Sequence, residues 1–515
     1  LFMQNNSYIT FDDVTEALYI STYDLGDLGK DWYLGFGALD IDALILGSRG
    51  EITYDMLTDE LDNIEGKFIR GHALQELPEP ERLYAVFDGW YYDDTFTQEY
   101  SYYEDIFYGD ITLYAKWVNE DDGVPYTYVE LEDGTIEIRS YTGKRKYITV
   151  PETINGKAVS SIGDFAFQNN NKLREVVLPD SVNHIGISAF AGCTNLVTMY
   201  IPANVTEIEV GAFQGDVRLS TVAFKGSSKL TTIGDLAFAY CSSLRTFEVP
   251  SGVKYLNGSA FFGTASLKSI KVQKGNIDFT SIDGVLFNYS KNTLVAFPAA
   301  KGNTYALPNG TTVIGDYAFG YCKLEEIDLN KVERVGAYSF AFSALRILNI
   351  PDTVNHAGKA AFYSCPYLSD VTIGRGLAIL SQEMFMYSTR LENIVIPNTV
   401  FAIDMKAFAK SALTEVTFEE NSVLTEIGGC VFLECQIEEI DIPDSVAAIG
   451  NTAFAYNPLT EVNFGENSQL WGIGNEAFSY CPFLESIILP DRLEYIGDRA
   501  FLLSGLKSIT VPASV

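Results

Sequence analysis

The chain repeats one pattern of apolar and polar positions along most of its length. The unit reads roughly L-x-x-I-x-I-P-x-x-V-x-x-I-G-x-x-A-F-x-x-C, and most copies are 21 to 25 residues apart. A fixed period of this length is typical of solenoid proteins. Fifteen copies can be followed by the phenylalanine of the Ala-Phe pair: Phe167, Phe190, Phe213, Phe238, Phe261, Phe287, Phe319, Phe340, Phe362, Phe385, Phe408, Phe432, Phe454, Phe478 and Phe501. The spacings on either side of Phe287 are longer, at 26 and 32 residues, which predicts an insertion around residues 272–310.

Inside each unit, the apolar positions keep fixed distances from the phenylalanine. Five residues before it lies an apolar residue: Ile162, Ile185, Ile208, Ile233, Leu256, Ile282, Ile314, Val335, Ala357, Leu380, Ile403, Ile427, Ile449, Ile473 and Ile496. Runs such as LREVVL at Leu173–Leu178 alternate apolar and polar residues, which is typical of a short strand with one buried face. One unit cannot bury its own apolar face, so we predict a β-rich leucine-rich-repeat solenoid of about 15 units that share one interior.

The third residue after each phenylalanine is small or polar. It is cysteine in six units: Cys193, Cys241, Cys322, Cys365, Cys435 and Cys481. In the other units it is Asn, Asp, Thr or Ser, side chains that hydrogen-bond to nearby backbone at turns. No spacing of a disulfide framework appears. We therefore expect buried free thiols, with a disulfide between neighbouring units and a reactive thiol as less favoured alternatives.

The IG-x-x-AF-x-x-C unit, with Leu-Pro before it, resembles the BspA-like leucine-rich repeats of bacterial surface proteins. The resemblance covers about residues 150–515, and Asp283–Lys301 also resembles a recurrent element of that family. It implies a secreted or cell-surface protein, of a kind often engaged in adhesion or host contact. Members differ in their ligands, so the resemblance does not specify one. We assign residues 161–515 to the solenoid, which we expect to be truncated at its C-terminus because the sequence stops within a unit.

Residues 66–118 contain a different motif, FDGWYYDDTFTQEY followed by DITLYAKW. It resembles the internalin B-type repeat, also called the Listeria–Bacteroides repeat, which implies a small β or α+β module beside other surface domains. The matching positions are Phe87, Gly89, Trp90, Tyr91, Leu113, Tyr114, Ala115, Lys116 and Trp117.

The remaining segments flank this module. Residues 119–160 alternate apolar and polar side chains around Asp133-Gly134 and Asn155-Gly156, which predicts a linker and an N-terminal β cap. Residues 1–65 form an acidic segment, either separate or part of the following module. Within this segment, Tyr54–Ile64 is a candidate helix because its apolar residues share one helical face.

The charge balance excludes some classes of function. The chain carries 35 basic and 68 acidic residues, a net charge of −33. Nucleic-acid binding requires a basic surface, and binding to an anionic membrane is disfavoured for the same reason. Residues 1–123 alone hold 27 acidic and 6 basic residues, so at least two regions differ in character. The sequence contains no apolar run long enough to insert directly into a membrane.

Motifs of catalysis and cofactor binding are not apparent. The three histidines, His72, His184 and His356, lie in different units, and neither a nucleophile elbow nor a P-loop occurs. Cys430 and Cys435 lack a second ligand pair for zinc. The acidic run Glu120–Asp122 lacks the spacing of a calcium loop. We therefore predict no enzyme, no cofactor and no metal site.

Two outward surfaces are candidates for binding a ligand. Strand alternation predicts an acidic stripe on the outer face of the stacked strands, formed by Glu248, Glu326, Asp328, Asp370, Glu415, Glu439, Asp441 and Glu461. The second position after the phenylalanine predicts an aromatic ladder, formed by Tyr240, Tyr289, Tyr321, Phe342, Tyr387, Tyr456 and Tyr480. The stripe suits a basic or polar partner, and the ladder suits sugars or proteins. For the acidic stripe, the favoured alternative is an ordinary solvated face. For the aromatic ladder, it is structural packing of ring on ring.

Together these features predict a non-enzymatic bacterial protein, secreted or displayed at the cell surface, that mediates adhesion or protein–protein interaction through the solenoid. The expected partner is a protein or glycan ligand, including one from a host. Two alternatives stay open: a fibre or envelope component that associates with copies of itself, and a carbohydrate-binding surface module. Because a fold does not determine function, the sequence does not identify the ligand.

Overall fold

The structure, a computed structural model, describes residues 49–58, 61–69, 85–100, 109–119, 125–143 and 145–515, with Leu74, Leu77, Pro78, Pro80 and Phe107. These residues form two compact units. The first lies within residues 49–125 and includes Arg145 and Lys146, and the second consists of Tyr126–Gly143 and Tyr147–Val515. Residues 1–48 of the predicted acidic segment, His72 and the run Glu120–Asp122 lie outside the described residues.

The N-terminal unit is a four-stranded sheet with the order β2-β1-β4-β3. Its strands are β1 (Arg49–Asp55), β2 (Ile64–Ile69), β3 (Ala85–Tyr91) and β4 (Ile111–Asn119). β1 is antiparallel to β2 and parallel to β4, and β3 is antiparallel to β4. A bulge interrupts the β3–β4 register between Phe87 and Gly89, where a φ of +131° at Gly89 favours glycine.

Aromatic residues of the predicted module form the core of this sheet. Trp90 is buried against Phe87 and Tyr54, and its indole Nε1 donates to the carbonyl of Pro78 at 2.8 Å. Trp117 donates in the same way to the carbonyl of Met56 at 2.8 Å. The rings thus supply apolar contact while each indole N–H keeps a partner.

The helix considered for Tyr54–Ile64 is wrong. Tyr54 lies in β1 and Ile64 begins β2, and Leu57 between them has a φ of +50°. The physical reason is that Ile52 and Tyr54 are both buried, two residues apart, as strand residues are. Backbone pairing with β2 and β4 then outweighs the weak helical periodicity.

The second unit is a solenoid of about 16 turns of about 23 residues, as the repeat predicts. Each turn contributes strands to two faces. The long-strand face contains β7 (Tyr147–Thr149), β10 (Glu175–Val177), β12 (Thr198–Ile201), β14 (Thr221–Phe224), β16 (Thr246–Val249), β17 (Ser269–Val272), β21 (Thr304–Tyr305), β23 (Glu326–Ile327), β25 (Ile347–Ile350), β27 (Asp370–Ile373), β29 (Asn393–Ile396), β31 (Glu415–Phe418), β33 (Glu439–Ile442) and β35 (Glu461–Phe464). The hydrogen-bonded neighbours on this face are parallel.

The short-strand face carries the apolar residue five positions before the phenylalanine. Its strands are β9 (Lys157–Ile162), β11 (His184–Ile185), β13 (Glu207–Ile208), β15 (Thr232–Ile233), β22 (Val313–Ile314), β24 (Arg334–Val335), β26 (His356–Ala357), β28 (Ile379–Leu380), β30 (Ala402–Ile403), β32 (Glu426–Ile427), β34 (Ala448–Ile449), β36 (Gly472–Ile473) and β37 (Tyr495–Ile496). Parallel, in-register pairs such as Ile185↔Ile208 stack equivalent residues directly on one another. The third side of each turn, which we call the turn side, carries the Ala-Phe pair and includes the 3-10 helix Gly258–Phe261.

The recurring phenylalanines point into the interior, as predicted. They form a ladder of parallel rings whose centroids lie 4.8 to 5.6 Å apart from Phe319 to Phe501. A second run extends from Phe167 to Phe261. The interior is therefore filled by stacked side chains.

The ladder residue of the insertion is Phe297, and the prediction of Phe287 is wrong. Phe297 stacks on Phe319 with centroids 4.9 Å apart. Phe287 lies in β19 (Val285–Asn288), which pairs antiparallel with β18 (Phe279–Ile282) and β20 (Thr293–Ala296). The inserted residues thus satisfy their backbone in a local meander, and the parallel stack resumes only at β20, which pairs with β22.

The cysteines are buried free thiols, as predicted. In five of them the Sγ atom donates to the carbonyl of the ladder phenylalanine one turn earlier, for example from Cys193 to Phe167 at 3.1 Å and from Cys365 to Phe340 at 3.2 Å. The seventh, Cys430, is partly exposed. Burial raises the pKa of the Cys365 thiol to about 11. These thiols therefore act as small buried donors.

Two hairpins precede the first complete unit. β5 (Tyr126–Glu130) and β6 (Ile136–Tyr141) are antiparallel, and β8 (Thr153–Ile154) pairs antiparallel with β9. The rings of Tyr126 and Tyr141 lie 6.5 and 5.6 Å from Phe167, so they cover the first ring of the ladder. In the part of the chain that the structure describes, no helix has the length and apolar character to span a bilayer.

Candidate binding surfaces

The turn side exposes two rows of side chains next to the buried phenylalanines. In most units the residues two before and two after the phenylalanine have positive φ, as in Tyr317 (58°) and Tyr321 (58°). Residues other than glycine adopt this conformation uncommonly. The turn geometry therefore recurs from unit to unit, and it determines which residues form the outer surface.

The structure brings together some of the predicted aromatic ladder. Tyr240 and Tyr321 have centroids 5.8 Å apart, and Tyr321 stacks on Phe342 at 4.7 Å. Tyr387 joins this group through Tyr363, at 5.7 Å. Tyr456 and Tyr480 form a separate stacked pair at 4.3 Å. Tyr289 follows β19 in the insertion, and the described residues show no ring contact between it and the ladder.

Four aromatic residues that the sequence analysis missed complete the group. Tyr317 and Tyr338, two residues before their phenylalanines, stack at 5.1 Å. Phe262 and Tyr363 each lie one residue after theirs. Phe262 lies 4.9 Å from Tyr321, so the turns of Phe261 and Phe319 are in contact on this side although the insertion separates them in sequence. The positions that flank each phenylalanine in the sequence reveal all four residues, but not their convergence.

Seven aromatic residues of the turn side line an open groove of about 550 Å³, which we call the aromatic groove. Its rings are Tyr240, Phe262, Tyr317, Tyr338, Phe342, Tyr363 and Tyr387, with Gln214, Leu236, Glu383, Met386 and Lys406 beside them. Burial raises the pKa of the Tyr317, Tyr321 and Tyr363 hydroxyls, so they stay protonated and able to donate. The groove thus combines apolar rings with hydroxyl groups at its surface.

Comparison with known proteins agrees with the repeat architecture. Residues 160–293, 295–414 and 401–515 match the model of the BspA type leucine-rich repeat region. The chain belongs to this family. Residues 51–116 match the Listeria-Bacteroides repeat domain. In this BspA-type protein, the break in the match at residue 294 falls in β20, where the inserted meander returns to the stack.

One solved structure shows the same fold, and a second is similar in sequence. A leucine-rich repeat protein from Eubacterium ventriosum is 21% identical with a TM-score of 0.51, and the match covers 66% of this chain and 94% of that chain. A leucine-rich repeat protein from Bacteroides ovatus is 25% identical with a TM-score of 0.44, covering 73% and 99%. No curated protein sequence gives a significant match. Family membership supports a role at the cell surface and in protein interaction.

The acidic stripe of this BspA-type protein lies on the long-strand face, and all eight of its predicted members are exposed. Its charge is concentrated toward the C-terminal turns. Glu439 lies in register with Glu461, and Glu415 holds the same position in the preceding turn. Glu248 instead lies opposite Lys271, which offsets its charge. Like charges on successive strands, roughly 4.8 Å apart, create a negative surface there.

Proposed function

We propose that this BspA-type protein is a non-enzymatic bacterial surface protein that mediates adhesion by binding a protein ligand. The aromatic groove would be its main contact surface. The observation that carries this proposal is the convergence of seven aromatic rings from six units in one open groove. All of these rings except Phe262 are at least partly exposed. Partly exposed aromatic clusters mark interaction surfaces, because tyrosine and tryptophan are enriched among the few residues that dominate the binding energy of protein interfaces.

The ring geometry favours a protein ligand over a glycan. Tyr317 and Tyr338 lie nearly parallel, at 6°, with centroids 5.1 Å apart, so each covers a face of the other. Tyr321 and Phe342 are stacked in the same way at 12°. A sugar that stacks on an aromatic residue needs an exposed ring face. The edges and hydroxyls that this groove presents suit the side chains of a protein.

The acidic stripe would contribute in a second way. A concentrated negative surface accelerates the approach of a basic partner, and this effect falls as the salt concentration rises. The proposed ligand is therefore a protein with a basic surface beside an apolar patch. Substitution of Glu415, Glu439 and Glu461 should slow association more than it speeds dissociation.

The proposal is tested by screening the purified chain against arrays of host extracellular proteins and of glycans. We expect binding to protein spots, followed by measurement of the dissociation constant by surface plasmon resonance. Tyr338→Ala should weaken binding roughly 30-fold, as removal of an interface residue worth about 2 kcal/mol does.

Tyr456→Ala is the matched control. Tyr456 also belongs to a stacked tyrosine pair on the turn side, but it lies outside the aromatic groove. This variant should bind like the wild type, and thermal unfolding should show both variants folded. Equal weakening by the two variants, binding to glycans alone, or concentration-dependent self-association in light scattering without any protein ligand would each refute the proposal.

A further inference from the structure

Three side chains of metal-ligand type meet on the short-strand face, away from the aromatic groove. They are His184 in β11, Glu207 in β13 and Glu209 directly after β13. One ligand atom from each lies within 4.8 Å of the others, and all three side chains are partly exposed. From the sequence alone, His184 has no partner pattern and no metal site is predicted. The cluster is absent from any local motif because its members come from different turns.

The parallel stack brings the first two residues together. β11 and β13 are in register with His184 opposite Glu207, so equivalent side chains lie side by side about one strand spacing apart. Glu209 lies two residues after Glu207, and alternate residues of an extended segment share a face. The imidazole and both carboxylates therefore point to the same small region.

Glu209 departs from the pattern of its neighbours. The adjacent turns have Gly186 and Gly234 at this position. At both glycines a Cβ would meet the preceding turn too closely, at 2.8 Å from the backbone N of Asp164 and 2.7 Å from the backbone C of Glu209. Where glycine is absent in other units, the residue is shorter than glutamate: Asn257, Val295, Ser381 and Asp404. A long carboxylate thus occupies a tight position directly beside a histidine.

The two carboxylates also lack a compensating cation. Among the described residues, no lysine or arginine forms an ion pair with Glu207 or Glu209. Two carboxylates this close repel one another, which favours a bound cation between them. One imidazole and two carboxylates are ligands that zinc and related divalent transition metals accept, with the remaining positions left to water or a partner.

We propose that His184, Glu207 and Glu209 form a site for a divalent transition metal ion such as zinc. The test is titration of the untagged, chelator-treated chain with zinc chloride in a calorimeter. We expect one ion per chain with the wild type. Glu209→Gly restores the residue of the adjacent turns, so it should fold normally while weakening zinc binding by at least about tenfold. His184→Ala should also fold normally and weaken zinc binding by at least about tenfold.

His356→Ala is the matched control. His356 holds the same position in β26 that His184 holds in β11, but it lies opposite Arg334 instead of a glutamate. Zinc binding should be unchanged in this variant. No stoichiometric binding to the wild type, or unchanged binding by Glu209→Gly, would overturn the proposal. So would binding that His356→Ala weakens as much as His184→Ala does. None of these outcomes bears on the aromatic groove, because the zinc titration uses no protein ligand.

Discussion

Asp216 is a carboxylic acid buried where other units place a hydrogen-bond donor. Six of the equivalent residues donate to the phenylalanine carbonyl one turn earlier, as Cys193 does to Phe167 at 3.1 Å and Asn457 does to Phe432 at 2.7 Å. Asp216 is fully buried, and its carboxyl oxygens accept no hydrogen bond of regular geometry among the described residues, although the backbone N–H groups of Gly192 and Cys193 lie near them. An ionised carboxylate cannot donate, so only the protonated acid can replace the usual donor.

This burial couples the stability of the solenoid to pH. It raises the pKa of Asp216 well above its usual value, because a charge in an apolar interior is poorly solvated. The pKa in the folded state thus exceeds that in the unfolded state. The group's stabilising contribution is complete below the unfolded pKa, about 4, and is lost as the pH rises toward the folded pKa. Between these two pKa values the folded state binds one proton more than the unfolded state. The free energy of unfolding therefore falls by about 1.4 kcal/mol for each unit by which the pH rises.

Asp216→Asn removes the titration and supplies an N–H donor, as Asn457 does in its own unit. Its gain in free energy of unfolding over the wild type should grow as the pH rises above about 5, by up to about 1.4 kcal/mol per pH unit, until the folded pKa is passed. Urea unfolding followed by circular dichroism measures this difference. Ser388→Ala changes the same position of another unit without a titrating group, and its effect should not depend on pH. A gain for Asp216→Asn that is constant or shrinks as the pH rises would refute the reasoning.

Three further predictions follow from the stack. Asn457→Asp should place a second buried carboxyl group in the stack, whose ionisation is unfavourable. The loss of stability relative to the wild type should therefore increase from acidic to neutral pH in the same urea assay. Iodoacetamide should label Cys430 in the native protein and the six buried cysteines only after unfolding, which mass spectrometry of peptides can establish. Gly336→Ala should destabilise the solenoid by about 1–3 kcal/mol in denaturant unfolding, because its Cβ would lie 2.5 Å from the backbone N of Asp316.

The interior of the solenoid was predictable from sequence because in-register stacking imposes the same offsets on every unit. The phenylalanine, the apolar residue five positions earlier and the donor three positions later each contact their counterparts in adjacent turns. A residue such as Cys365 therefore has one environment that the repeat itself defines. Phe287 was assigned wrongly because its unit interrupts this rule. The correct residue, Phe297, lies 22 residues before Phe319, a spacing typical of the other units.

The candidate sites were harder to predict, because they depend on contacts between units. Tyr240 and Tyr321 were found from one recurring position, but Phe262 joins them only because the insertion shortens the distance across the turn side. His184 and Glu207 are separated by 23 residues, and their proximity follows from strand register rather than from any motif. Register can be inferred once the repeat is aligned, whereas the effect of an insertion on the path of the stack cannot.

The aromatic groove, the His184–Glu207–Glu209 cluster and Asp216 share one property: each lies where units depart from the common pattern. In a solenoid, each unit contacts only its neighbours, so the cost of an unfavourable residue such as Asp216 or Glu209 is confined to adjacent turns. The long stack can retain such residues without losing the fold, whereas a small single core would have less stability to offset them. Residues common to all units maintain the stack and cannot by themselves distinguish one ligand from another. Ligand-specific chemistry in this protein should therefore be sought in the differences between each unit and its neighbours.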